Sequence, residues 1–306
     1  MSYPSALTLA RRLPRSTRCV FAALAFVSAA GAMTACVHTQ PVLTQLLEAR
    51  RLASDLRVEF TKASEAANRA VMAETDEAST GAAMEARRAR EVVERDVEAL
   101  QPILQSLGYR DDVRYLDGFK ARFDEYRRLD DEILPLAVEN TNVKAQRLSF
   151  GPARAAADAF RTSLDAAVRT TATKETCSAM AVAAQARTAV LEIQVMHAPH
   201  IAEAEDAAMT RMEGQMTASA AVARKALADL KGALTPAAGS QLAAAGAALV
   251  RFLAIHTEIV TLSRRNSDVR SLALSLGRKR VVTAECEDQL RTLEEALAKH
   301  EFTATR

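Results

Sequence analysis

The chain has 306 residues, no Trp, ten Gly, eight Pro and a formal net charge of +2. Abundant Ala and charged residues favour long packed helices, whereas strands are enriched in β-branched and aromatic residues. Acidic and basic residues alternate along the chain and form no extended basic face, which argues against a nucleic-acid partner. We therefore predict an all-α protein.

The first 36 residues have the order of an export signal. Four Arg residues between positions 11 and 18 precede an apolar stretch from Val20 to Met33. This stretch is shorter than the roughly 20 residues that a membrane span needs. It ends in Met33-Thr34-Ala35-Cys36, which resembles the lipobox of bacterial lipoproteins, although Leu is usual at the position of Met33.

The lipobox resemblance implies that residues 1–36 are a lipoprotein signal sequence and that lipid is attached to Cys36. The mature protein would then be anchored to a membrane through its N-terminal lipid and face the periplasm. Val37 is not the Asp associated with inner-membrane retention, so the outer membrane is slightly favoured. The alternative is cleavage after Ala32, which would release a soluble periplasmic protein.

A stretch of 33 residues occurs twice, at 132–164 and 258–290, with a constant offset of 126 and no gap. Long repeat periods of this kind indicate an internal duplication. The chain is therefore predicted to contain two copies of one helical unit. The identical positions are Glu132/Glu258, Ile133/Ile259, Leu136/Leu262, Asn140/Asn266, Val143/Val269, Leu148/Leu274, Ser149/Ser275, Gly151/Gly277, Arg154/Arg280 and Leu164/Leu290.

Apolar residues spaced alternately three and four apart predict four helices in each copy. In the first copy, the helix from Pro41 is interrupted at 76–81, and Gly108 ends the second helix. The third helix ends near Asn140, and the fourth bends at Gly151-Pro152. In the second copy, the helices are predicted to end near His197 and to span 206–234, 240–264 and 268–299.

Four helices of similar length with short turns can bury their apolar stripes by antiparallel packing. We predict two tandem antiparallel up-down-up-down four-helix bundles, at 41–172 and 173–300. No Pro or Gly interrupts 165–177, so a near-continuous helix is expected to join the bundles.

The first copy resembles the four-helix-bundle sensor domain of methyl-accepting chemotaxis receptors over 42–168. The resemblance is carried by Arg50-Arg51-Leu52, by Phe123-x-x-Tyr126-x-x-Leu129-x-x-x-Ile133, by an Asn-containing turn and by Lys144-Ala145-x-x-Leu148. It implies a periplasmic input module that binds a small molecule or a protein, often as a homodimer. The second transmembrane helix and signalling hairpin of that family are missing here, so receptor-type transmission is not expected.

Polar residues gather at the turns of the predicted bundles. An Arg and Asn cluster at helix ends suits a small anionic ligand, whereas capping and solvation of those ends is the competing interpretation. His and Met at these spacings would suit copper, but ordinary core Met and capping His explain them better, so we predict no metal site and no cofactor. The candidate ligand-binding residues are Arg264, Arg265, Asn266, His197, His200, Asn140, Asn142 and Arg147.

Catalytic motifs are missing from the sequence, and the acidic run at 130–132 is interpreted as a solvated helix face. Cys177 and Cys286 are expected to lie too far apart along their helices for a disulfide. A non-enzymatic lipoprotein that senses or binds a small molecule or an envelope protein is the preferred function. The alternative is a structural or scaffolding lipoprotein without a small-molecule ligand.

Overall fold

The computed structural model describes residues 15–170 and 176–300, and the side chains within 42–170 and 177–300. Within these residues the backbone is almost entirely helical and has no strand, which confirms the all-α prediction. The α-helices are α1 Arg15–Val71, α2 Asp76–Leu107, α3 Arg110–Glu139, α4 Thr141–Leu148, α5 Arg154–Thr170, α6 Thr176–Ala202, α7 Asp206–Ala233, α8 Gly239–Arg265, α9 Ser267–Leu274 and α10 Arg280–Lys299.

Two predicted helix ends are wrong. Helix α2 begins at Asp76, so the residues expected to interrupt a helix form its first turns instead. Helix α6 continues through Pro199 to Ala202, although it was expected to end near His197. Pro199 cannot donate a hydrogen bond to the carbonyl oxygen four residues before it, yet the helix extends three residues beyond it. The helix predicted through 165–177 falls partly on 171–175, which lie outside the described residues.

A π-helical turn interrupts the fourth helix of each copy at equivalent places. The turns are Ser149–Ala153 and Ser275–Lys279, which are 126 residues apart. The first contains Pro152, and in the second Gly277 departs from helical dihedral angles. The bend predicted at Gly151-Pro152 corresponds to the first of these turns.

Two Asn residues end α3 and α8 in the left-handed conformation, with φ of 48° at Asn140 and 54° at Asn266. Asn tolerates this conformation better than most residues because its short polar side chain can form local hydrogen bonds. The next helix begins at the following residue, Thr141 in one copy and Ser267 in the other.

Contacts between Cα atoms divide the chain into two units. Among the described residues, the first unit contains α1 up to Phe60, residues 91–122 of α2 and α3, and α10 from Glu285. The second unit contains residues 61–90 and 123–284.

In the first unit, α10 packs against α1 and α3. Arg50 of α1 donates from Nε to the carbonyl oxygen of Leu297 at 3.0 Å, and Arg122 of α3 pairs with Glu285 at 3.2 Å. The fourth helix of the second copy therefore packs on helices of the first copy. Buried apolar residues of this unit include Leu46, Leu56, Phe60, Leu100, Leu104, Leu116, Phe119, Leu290, Leu293 and Leu297.

In the second unit, α5 packs against α8 and α6, and α6 packs against α7. The fourth helix of the first copy therefore shares a core with the first three helices of the second copy. That core includes Phe160, Leu164, Val190, Ile193, Leu230, Leu249 and Phe252.

This packing differs from the predicted domains 41–172 and 173–300, in which each copy keeps its own fourth helix. The two fourth helices derive from one duplicated sequence and carry similar apolar spacings. Either helix can therefore fill the same place, and exchange of an equivalent element costs little free energy. The apolar pattern alone therefore does not determine which fourth helix packs with which set of three helices.

Candidate functional site

The first turns of α4 and α9 are joined by reciprocal hydrogen bonds. The backbone N–H of Thr141 donates to Oγ of Ser267 at 3.1 Å, and the N–H of Ser267 donates to Oγ1 of Thr141 at 3.0 Å. The N–H of Asn142 donates to Oδ2 of Asp268 at 2.8 Å, and the N–H of Asp268 donates to Oδ1 of Asn142 at 3.2 Å. Each side chain caps N–H groups that have no partner within their own helix.

The paired residues in this contact are 126 positions apart, which is the repeat period read from the sequence. A contact in which residue i meets j and j meets i in return is typical of two-fold symmetry. A local pseudo-two-fold axis therefore passes between Thr141 and Ser267. We call the four residues Thr141, Asn142, Ser267 and Asp268 the interlock.

The three candidate Asn residues brace the helix ends around the interlock. Asn142 donates from Nδ2 to the carbonyl oxygen of Ile201 at 2.6 Å and to Oδ1 of Asn266 at 2.8 Å. Asn266 donates to the carbonyl oxygen of Glu203 at 2.8 Å. Asn140 donates to Oγ of Ser79 at 2.9 Å and is also buried. Their amide groups are therefore used within the fold.

The candidate Arg residues also have partners within the protein. Arg264 holds Glu213 through two hydrogen bonds, Nε to Oε1 at 2.5 Å and Nη2 to Oε2 at 2.9 Å. This guanidinium keeps the pKa of the Glu213 carboxyl below its ordinary value. Arg265 pairs with Glu139 at 2.5 Å, and the pKa of Glu139 is lowered in the same way.

Arg147, the remaining candidate Arg, lies apart from these pairs. Its Nη2 donates to the carbonyl oxygen of Glu74 at 2.5 Å, in the turn between α1 and α2. The structure thus brings His200, Arg264 and Glu213 together but does not place Arg147 in that group.

The candidate His residues lie in two separate buried hydrogen-bonded groups, one around each imidazole. His197 Nε2 lies 3.1 Å from His256 Nδ1, and His197 Nδ1 lies 3.2 Å from Oγ of Ser149. His200 Nδ1 lies 2.8 Å from Oγ of Ser263. Its Nε2 lies 3.0 Å from Oε1 of Glu213.

Burial lowers the pKa of His197 to about 4, and the neighbouring imidazoles add to the shift. Burial lowers the pKa of His256 as well. Both rings are therefore neutral near pH 7, and each has one nitrogen that donates and one that accepts. Among the described residues, no three His, Cys, Asp or Glu side chains are grouped so as to hold a metal ion.

These imidazoles make the stability of the fold depend on pH. Below pH 6.5 the unfolded chain protonates His197, whereas the folded chain does so only near pH 4. The free energy of unfolding should therefore decrease by about 2 kcal/mol between pH 7.5 and pH 5.0. Urea denaturation at the two pH values measures it, and His197→Gln should show a smaller decrease. An equal decrease in both proteins would contradict the assignment.

A buried ion pair lies on the π-helical turn before α10. Lys279 Nζ is 2.5 Å from Oδ1 of Asp130 and 5.1 Å from the ring centre of Tyr126, and Lys279 and Asp130 are almost fully buried. Arg90 Nη1 approaches the other oxygen of Asp130 at 3.7 Å. Burial lowers the pKa of the Lys279 ammonium group. At an offset of 126, Asp130 corresponds to His256, Tyr126 to Phe252 and Lys279 to Ala153. The ion pair therefore has no equivalent in the other half of the duplication.

The ion pair corrects the interpretation of residues 130–132 as a solvated face. Asp131 and Glu132 are exposed, but Asp130 is fully buried. Asp130 is three residues before Ile133 and four after Tyr126, both of them predicted to face the core. That helical spacing was the signal that sequence analysis missed.

A cavity of about 440 Å³ lies between α7 and α8, near the turn that joins them. Its apolar lining includes Leu227, Leu234, Leu242, Ala243 and Gly246, and Lys231 and Thr235 also line it. None of these residues was a candidate in the sequence analysis.

The equivalent place in the first copy has polar side chains. Gln101 on α2 accepts a hydrogen bond from Lys120 Nζ at 2.7 Å and donates to Asp117 Oδ1 at 3.5 Å, both on α3. At an offset of 126, Gln101 corresponds to Leu227, and Asp117 and Lys120 correspond to Ala243 and Gly246. An Asp and a Lys of the first copy thus correspond to Ala and Gly in the second, which leaves space for the cavity.

The chain matches no protein-family model, no curated protein and no solved structure.

One stretch of the described residues, within Pro236–Lys299, is long and apolar enough to cross a membrane by length and composition. Core helices of soluble proteins pass the same test, and a third of this stretch is buried within the protein.

The structure describes the side chains of two of the four Cys residues. Cys36, the predicted lipid-attachment residue, has its side chain outside the described residues. Cys177 is exposed, Cys286 is buried, and no disulfide joins them.

Proposed function

We propose that this chain is a lipid-anchored, periplasm-facing, non-enzymatic module that binds a small molecule in a sensory role. The cavity between α7 and α8 carries the proposal, since small-molecule sites are concave, largely apolar spaces of about 300–1,000 Å³. The resemblance to chemoreceptor sensor bundles supports a sensory role, and the lipobox at Cys36 supports the anchor.

The interlock and the two hydrogen-bonded groups around His197 and His200 form the frame of this proposed module. Their hydrogen bonds connect α4, α6, α8 and α9. Satisfied buried networks make a core rigid and specific.

Ligand binding is tested by thermal shift on the full-length chain with a library of small metabolites and amphiphiles. A ligand at 100-fold its dissociation constant should stabilise the native state by about 2.7 kcal/mol and raise Tm. The proposal fails if no compound changes Tm.

A scaffolding function is the second proposal, and exposed apolar side chains favour it. Leu191 and Val195 of α6 are 58% and 63% exposed, and Phe150 in the neighbouring π-helical turn is 66% exposed. An envelope protein that co-purifies in stoichiometric amount, together with no ligand effect on Tm, would support this second function.

The lipid anchor is tested by replacing Cys36 with Ala. The wild-type chain should incorporate radiolabelled palmitate and fractionate with membranes. Cys36→Ala should do neither, whereas Cys177→Ala, which removes an exposed thiol, should behave as wild type. Palmitate labelling that persists in Cys36→Ala would refute the anchor.

A further inference from the structure

The cavity between α7 and α8 has two polar groups in its lining that are unused within the described residues. The hydroxyl oxygen of Thr235 is buried and has no hydrogen-bond partner there. Lys231 is exposed and forms no ion pair with any described residue. Lys231 lies in the last turn of α7 and Thr235 lies two residues beyond its end in extended backbone, and both line the same cavity.

We propose that this cavity binds a fatty acid, with its single acyl chain against the apolar lining and its carboxylate between Lys231 and Thr235. The inference rests on the proposed function, because it names the ligand class of the same cavity. Leu227, Leu234 and Leu242 supply the apolar surface, and burial of each methylene there contributes favourably to binding.

The two polar groups determine the head group. A carboxylate is an acceptor only, whereas the Lys231 ammonium group and the Thr235 hydroxyl can both donate. Hydrogen bonds to charged groups are the stronger ones, so an anion gains more here than an alcohol. A cationic amphiphile would meet the positive charge of Lys231 and leave the buried Thr235 hydroxyl without an acceptor.

The size of the cavity determines the number of chains. Its volume of about 440 Å³ lies in the lower part of the range of small-molecule sites. It suits one medium-length acyl chain better than the paired chains of a phospholipid. We therefore use dodecanoate, below its micellar concentration, as the probe.

Calorimetric titration of the full-length protein with dodecanoate tests the location of the site. Ala243→Leu places a larger side chain in the lining of the cavity and should weaken binding at least ten-fold. Ala244→Leu is the matched control, because Ala244 is the exposed neighbour on the same helix and does not line the cavity. It should leave the dissociation constant unchanged.

The same titration tests the ligand class. Lys231→Gln and Thr235→Val should each weaken dodecanoate binding about five-fold, while Lys225→Gln on the same helix should not change it. Affinity should increase about four-fold per methylene from octanoate to dodecanoate. Dodecyltrimethylammonium should bind more weakly than dodecanoate, and Lys231→Gln should strengthen its binding rather than weaken it, because the like charge is removed.

Failure of this inference differs from failure of the proposed function. Equal binding of dodecanoate to the Ala243→Leu and Ala244→Leu proteins would place the site elsewhere and overturn the inference. If dodecanoate does not bind but another compound raises Tm, the ligand class is wrong and the binding function stands. If no compound raises Tm, both proposals fail.

Discussion

Replacing Lys279 with Met is expected to lower the free energy of unfolding by about 3–5 kcal/mol. The substitution removes the ammonium group that lies 2.5 Å from Asp130 and leaves a carboxylate buried beside only a distant Arg90 contact at 3.7 Å. Removing one partner of a buried pair costs this much because the remaining charge has lost both water and its counterion. Urea denaturation at pH 7.5 measures the change.

Two variants separate this effect from a general loss of packing. Asp130→Leu combined with Lys279→Met removes both charges and should recover most of the lost stability. Glu132→Gln changes an exposed carboxylate two residues away and should alter stability by no more than about 0.5 kcal/mol. A Lys279→Met protein as stable as wild type would show that the pair is not buried in solution.

Replacing Asn142 with Ala is expected to cost about 2–4 kcal/mol. The side-chain amide of Asn142 donates to the carbonyl oxygen of Ile201 and to Oδ1 of Asn266. Its Oδ1 accepts from the backbone N–H of Asp268. Each buried polar group left without a partner costs about 1–3 kcal/mol. Unfolding by urea at pH 7.5 gives the difference in stability.

The second copy supplies the control for this interlock variant. Ser267 stands at the position equivalent to Thr141, so Thr141→Ser keeps the hydroxyl that accepts from the N–H of Ser267. This substitution removes one methyl group and should cost less than about 1 kcal/mol. The interlock would be refuted as a stabilising contact if Asn142→Ala cost no more than Thr141→Ser.

Local signals in the sequence were sufficient for the class of fold and for most helix ends. Gly108 ends α2 with φ of 73°, and the duplicated Asn residues end α3 and α8 in the left-handed conformation. These positions depend on the chemistry of one or two residues, which the sequence displays directly. The offset of 126 also reappears in the structure, as the separation of the residues that form the interlock.

The partners of the fourth helices could not be determined in the same way. Helices α5 and α10 present similar apolar spacings, and their assignment depends on the path of the chain through the turns at Asn140 and Asn266. A periodic pattern shows which face of a helix is buried, but not which neighbour covers it. The burial of Asp130 depends equally on a residue 149 positions away, Lys279, which only the folded chain brings near.

The structure brings some of the candidate residues together, through a partner that the sequence did not indicate. His200 and Arg264 both contact Glu213, a residue that sequence analysis did not select. Alignment of the two copies at an offset of 126 contains a signal for the cavity. In that alignment Gln101 corresponds to Leu227, Asp117 to Ala243 and Lys120 to Gly246. A loss of bulk and polarity at matched positions is a signal that a single copy does not contain.

The covalent joining of the two copies has a consequence for how the protein could evolve. In a homodimer of single-copy chains, each substitution occurs in both subunits. A substitution that opens a cavity in one subunit therefore opens the same cavity in the other. In this duplicated chain, a mutation changes only one of the two copies. Gln101 could keep its hydrogen bonds in the first copy while Leu227 occupied the equivalent position in the second. One copy can therefore acquire a binding site without losing the polar contacts of the other.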